Sequence, residues 1–233
     1  MNVGMFSSAG LEMFLRWVHY FAGVVWIGML YYFNFVQGEW FKEIDATIKN
    51  NAFNKLVPRA LKWFRYGALF TFLTGVFLLK YKYLTSGIEI FTTSWGIFIL
   101  TGAAMGTIMF LNVWLIIWPS QKVLIQNAQN ALEGKPAIAD APARAAKAGL
   151  ASRTNVLFSI PLLFFMGAAS HLPLEVSDTY SGWLLFAALG VIIGGLELNA
   201  IKGKLGPLTT IKGVTHCALA LTIVLYAVIE IIC

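Results

Sequence analysis

The sequence predicts an all-α, polytopic membrane bundle of about six transmembrane helices, and three observations carry that prediction. Of the 233 residues, 58% are apolar and only 12% charged, with a mean hydropathy of +0.73. A water-soluble domain needs far more polar surface, so the bilayer is the implied solvent. Apolar runs long enough to cross a ~30 Å hydrocarbon core recur along the chain. They fall at about 11–37, 62–84, 94–118, 154–174, 180–201 and 210–232. The connections between them alternate sharply in basic charge. With no internal repeat and no composition break, residues 1–233 read as a single transmembrane domain.

Span 1 is preceded by ten residues without Lys or Arg, and no small-residue cleavage site follows a short apolar core, so no removable signal peptide is expected. In 38–61, Phe41, Ile44 and Ile48 recur at near-helical spacing among Lys42, Lys49 and Asn50, predicting an amphipathic surface helix. Span 3 carries Gly102 and Gly106 four residues apart, a close-packing pattern that recurs at Gly190 and Gly194 in span 5. Residues 119–153 read as a long connection that starts at Pro119, breaks at Gly134–Pro136 and ends in an Ala-rich basic stretch. Eight Trp and eight Tyr suit interfacial belts.

Loop charge sets the orientation. The first connection and the start of span 2 carry Lys42, Lys49, Lys55, Arg59, Lys62 and Arg65. The third carries Lys122, Lys135, Arg144, Lys147 and Arg153, and the fifth Lys202, Lys204 and Lys212. The second has only Lys80 and Lys82, and the fourth and the C-terminal tail have none. The positive-inside rule places loops one, three and five in the cytoplasm and both termini outside, in the periplasm of a Gram-negative inner membrane. This multi-pass topology accounts for the net charge of +6 and implies no nucleic-acid partner. Cys217 and Cys233 share one predicted helix, roughly 24 Å apart, too far to bridge.

All three histidines fall within or at the edge of a span. His19 lies about two turns into span 1 from the outer side and His171 near the outer end of span 4, so the two are expected at similar depth. Each has a glycine one turn deeper, Gly23 and Gly167, which leaves room for a porphyrin lying against the helix. Arg16, three residues outward of His19, is placed to pair with a propionate. The pattern predicts a non-covalent b-type haem with His19 and His171 on the iron. The structural alternative is that the glycines only pack helices and the histidines bond carbonyls. At the opposite end, Asn112, Glu197, Asn199 and His216 form a candidate proton or substrate site, or an interhelical hydrogen-bond cluster.

Several ordered motifs resemble the N-terminal membrane domain of the membrane-bound urate oxidase family. They are Arg16-Trp17-x-His19-x-x-x-Gly23-x-x-Trp26-Ile27-Gly28, then Trp63-Phe64-Arg65-Tyr66 with Thr71 and Gly75. Next come Gly102-x-x-x-Gly106-Thr107-Ile108-Met109-x-x-Asn112-Val113, Ile117-Trp118-Pro119-x-Gln121, Arg153-x-Asn155, Pro161, Phe164 and Ser170-His171-x-Pro173. Leu100 stands where longer members tend to carry His. The resemblance implies a membrane oxidoreductase that passes electrons to a cytochrome c domain. No CxxCH occurs in these residues, so the expected electron partner is a separate periplasmic cytochrome c. The first span also resembles that of HemJ-type protoporphyrinogen oxidases, which implies porphyrinogen oxidation as an alternative. A further alternative is a cofactor-free accessory subunit of a larger respiratory or membrane complex.

Overall fold

A computed structural model of the chain describes every residue except 1–3, 5, 6 and 178. Among the described residues there is no strand. The helices are α1 (Ser8–Glu43), α2 (Ala46–Lys55), α3 (Val57–Ser86), α4 (Ser94–Leu132), α5 (Ala141–His171), α6 (Gly182–Lys202) and α7 (Ile211–Ile232). Each of the six predicted spans maps onto one long helix. Their starts follow local capping chemistry: Ser7, Asp45, Thr93 and Thr210 each accept a hydrogen bond from a first-turn N–H that has no partner within the helix.

Among the described residues five helices, α1 and α4–α7, are long and apolar enough to cross a membrane. The exception, α3, coincides with the predicted span 62–84. Arg65 and Lys80 bracket its uncharged stretch, and Thr71 and Thr74 interrupt it. A bilayer is nonetheless the natural solvent. Val24, Trp183 and Val191 are 74%, 77% and 76% exposed, on helices that present most of their apolar surface outward.

The connections depart from the sequence expectation. Residues 38–43 continue α1, and only Ala46–Lys55 forms a separate short helix. The predicted long connection 119–153 is largely helical, because α4 runs through Pro119 to Leu132 and α5 begins at Ala141. A π-helical turn over Asn112–Ile117 ends two residues before the proline. The wider turn relieves the clash between the pyrrolidine ring and the carbonyl four residues back that normally ends a helix. A matching π turn lies in α1 at Tyr32–Gln37.

α5 is the hub, with most of its apolar stretch buried, and Phe158 and Phe165 pack with Phe98, Met105 and Met109 of α4 in the core. α1 and α3 form one closely packed pair, α4 and α5 another. Gly67 makes the first pair possible: a Cβ there would lie 3.0 Å from the backbone N of Trp26 and 3.2 Å from the Ala22 carbonyl oxygen. The pairs are tied together at one end by Tyr31 Oη–Ser159 Oγ (2.9 Å), by Asn34 Nδ2 donating to Ser152 Oγ (2.8 Å), and by Arg65 stacked 3.5 Å over the Trp118 ring. Ser8 and Cys233 lie at the other end. There Tyr81 Oη donates to the Ser8 carbonyl (3.1 Å), Leu174 N to Ser94 Oγ (3.1 Å) and Ser177 N to the Cys233 carbonyl (2.7 Å).

Candidate functional site

At the terminus-bearing end the two helix pairs stand apart and enclose a cavity of about 400 Å³, within the ~300–1,000 Å³ typical of cofactor and small-molecule sites. Its lining is mostly apolar, drawn from α1, α3, α4 and α5. His19 is the one histidine on it. Gly75 makes room for that ring, since a Cβ at 75 would sit 3.3 Å from His19 Cε1.

The hydrogen bonds around His19 fix its tautomer. Thr74 Oγ1 donates its single proton to backbone carbonyls, with the Phe70 oxygen at 2.6 Å and the Thr71 oxygen at 3.1 Å. It therefore accepts from His19 Nδ1, which lies 3.1 Å away. Nδ1 carries the hydrogen and Nε2 keeps a free lone pair, the arrangement that metal-bound histidines adopt when a neighbour orients the ring. Trp26 also lines the cavity, and its buried indole N–H meets no acceptor in the protein.

The mouth is cationic. Arg16 and Lys82 both line it and share one carboxylate oxygen, Glu12 Oε1, at 2.6 and 3.0 Å. Two cations against one carboxylate leave a net positive charge, suited to an anionic group.

Of the predicted haem residues, the structure brings His19, Gly23 and Arg16 to this cavity and leaves His171 and Gly167 off its lining. His171 is exposed at the last turn of α5, and Gly167 faces open space. Depth matched the two histidines, but rotation about α5 separates His171 from the cavity. Leu162, Met166 and Ser170 form the stripe that faces inward, and His171 sits about 100° around the helix from Ser170. Thr74, Lys82 and Met166 escaped the sequence reading. Lys82 read as a loop charge, and Thr74 acquires a role only once α3 is paired with α1.

At the other end, Asn112 Nδ2 donates to Asn155 Oδ1 (2.9 Å) and to Glu197 Oε2 (3.0 Å), while Asn155 Nδ2 donates to the Met109 carbonyl (3.0 Å). Asn112, the first residue of the π turn, thus brings together Glu197 and Asn155 of α5. His216 is exposed on α7 and bonds none of them, and Asn199 instead donates to the Lys204 carbonyl. Asn155→Leu removes two bonds and leaves buried polar atoms unmatched. It is expected to cost about 1–3 kcal/mol, more than the ~0.6 kcal/mol of an average interhelical bond in a membrane protein. Denaturant unfolding in detergent checks this.

The family model described as urate oxidase N-terminal matches residues 86–226, more than half of the chain. That stretch covers α4, α5, α6 and most of α7, including Asn112, Asn155, His171 and Glu197, and begins at the last residue of the α1–α3 pair that carries His19. No curated protein and no solved structure matches.

Proposed function

From the premise that this chain belongs to the urate oxidase N-terminal family, we propose that it is a membrane electron-transfer protein. In this reading the cavity between the two helix pairs holds a non-covalent b-type haem. The observation that carries the proposal is His19: its Thr74 bond leaves Nε2 free on the wall of a largely apolar cavity with a cationic mouth. The donor set fits the group. An imidazole suits the iron, apolar and glycine walls suit the ring, and Arg16 with Lys82 suits two propionates. Bound there, haem supplies one-electron transfer. The protein's residues orient the imidazole, exclude water from the ring and hold the carboxylates at the mouth.

The site stands at the end of the bundle that loop charge assigns to the periplasm. A separate periplasmic cytochrome c is the fitting electron partner. Urate, small and polar, would need convergent hydrogen-bond partners that this mostly apolar cavity supplies sparsely.

Protein purified from haem-replete cells is expected to give a dithionite-reduced b-type spectrum with haem near one per chain. A colourless preparation overturns the reading and favours a cofactor-free accessory subunit.

A further inference from the structure

We infer that Met166, not a second histidine, supplies the other axial ligand of this site, so that the iron is held by one imidazole and one thioether. The inference rests on the haem reading above and goes beyond it by naming the ligand pair.

Ligands on the two faces of a porphyrin must come from opposite walls. His19 stands on the wall built by α1 and α3, so its counterpart belongs to the wall built by α4 and α5. Along α5 the inward stripe is Leu162, Met166 and Ser170, spaced one helical turn apart. The Met166 sulfur is the soft donor on that stripe, and thioether sulfur is an established axial ligand of haem iron. The remaining donors that line the cavity are poorly placed. Tyr20 follows His19 directly on the same helix and is 66% exposed, and Lys82 belongs to the same helix pair and is paired with Glu12 at the mouth.

The packing of Met166 gives its side chain a defined position. A Cβ at residue 102 would lie 2.8 Å from Met166 Cε and 3.5 Å from its Cγ. The methyl end of the side chain therefore rests in the notch left by Gly102 on α4, which fixes the thioether between the two helices that build this wall. Gly102 thus has a second use beyond close helix packing: its missing side chain seats the proposed ligand.

The chemical consequence is a higher potential. Exchanging imidazole for thioether removes a strong donor to the ferric ion and favours the ferrous state. Such a haem suits delivery of electrons to a cytochrome c of similarly high potential.

The test compares ferric and reduced spectra and midpoint potentials of detergent-purified wild-type, Met166→Leu, Met166→His and His171→Ala proteins. Met166→Leu nearly conserves volume and so keeps the fold. It is expected to retain haem through His19, lose the far-red charge-transfer band of a thioether-bound ferric haem, and bind carbon monoxide readily. Met166→His is expected to stay six-coordinate with a lowered potential, and His171→Ala to match wild type in band and potential. Haem that is unchanged in Met166→Leu, or that loses its native spectrum in His171→Ala, overturns the ligand assignment while the haem reading stands. A haem-free wild-type protein overturns both.

Discussion

His19→Ala is expected to reduce the haem content of the purified protein to background while the bundle stays folded. The imidazole is half-buried and its side-chain partner is the neutral Thr74 Oγ1, so its loss vacates cavity volume without stranding a charge. Alanine is also the best helix former, so the α1 backbone does not suffer. Thr74→Val tests the same idea more gently. It keeps the shape of the side chain but removes the acceptor that holds the His19 tautomer, and loss of such an orienting partner costs roughly 10–100-fold in metal affinity. His171→Ala, by contrast, is expected to leave haem content at the wild-type level. The pyridine haemochrome assay against protein concentration reads all three variants, with far-UV circular dichroism and gel filtration reporting the fold. Haem retained in full by His19→Ala would remove His19 from the iron.

The contrast between the two histidines shows how much of the site the sequence carries. Depth in a membrane follows from residue number, because each residue of a helix rises by a fixed step. His19 and His171 both lie toward the terminus-bearing end for that reason, as do Arg16 and Gly23 near His19. Which way a side chain points depends on the rotation of its helix, and that is set by packing partners the sequence does not name. α5 turns Leu162, Met166 and Ser170 inward and carries His171 away. The same logic separates Glu197, which meets Asn112, from His216, which meets neither.

The helices themselves were legible because apolar length is a one-dimensional property. At the connections composition and geometry disagree. Pro119 is a breaker by composition, yet the preceding π turn carries α4 through it. The basic stretches 122–132 and 141–153 are helical extensions rather than loop. α3 shows the opposite case, a helix in the expected place whose charged ends keep it less apolar than its neighbours.

Gly67→Leu is expected to cause the largest loss of stability of any single change in the α1–α3 pair. Overpacking a well-fitted contact costs about 1–3 kcal/mol, and most where the neighbour cannot move aside. Here the neighbours are backbone atoms: a Cβ alone would reach 3.0 Å from Trp26 N and 3.2 Å from both Trp26 Cα and the Ala22 oxygen. A branched side chain of three further carbons forces the helices apart. Because His19 Nδ1 reaches Thr74 across that same interface, separation also breaks the bond that sets its tautomer. Gly67→Leu should therefore lower the thermal midpoint in detergent and lose haem together, whereas Met166→Leu loses only its native spectrum. Gly195→Leu on α6 is the matched control, since a Cβ there meets nothing within 4 Å. Equal midpoints for Gly67→Leu and Gly195→Leu would mean that the close approach of α1 and α3 does not hold the bundle together.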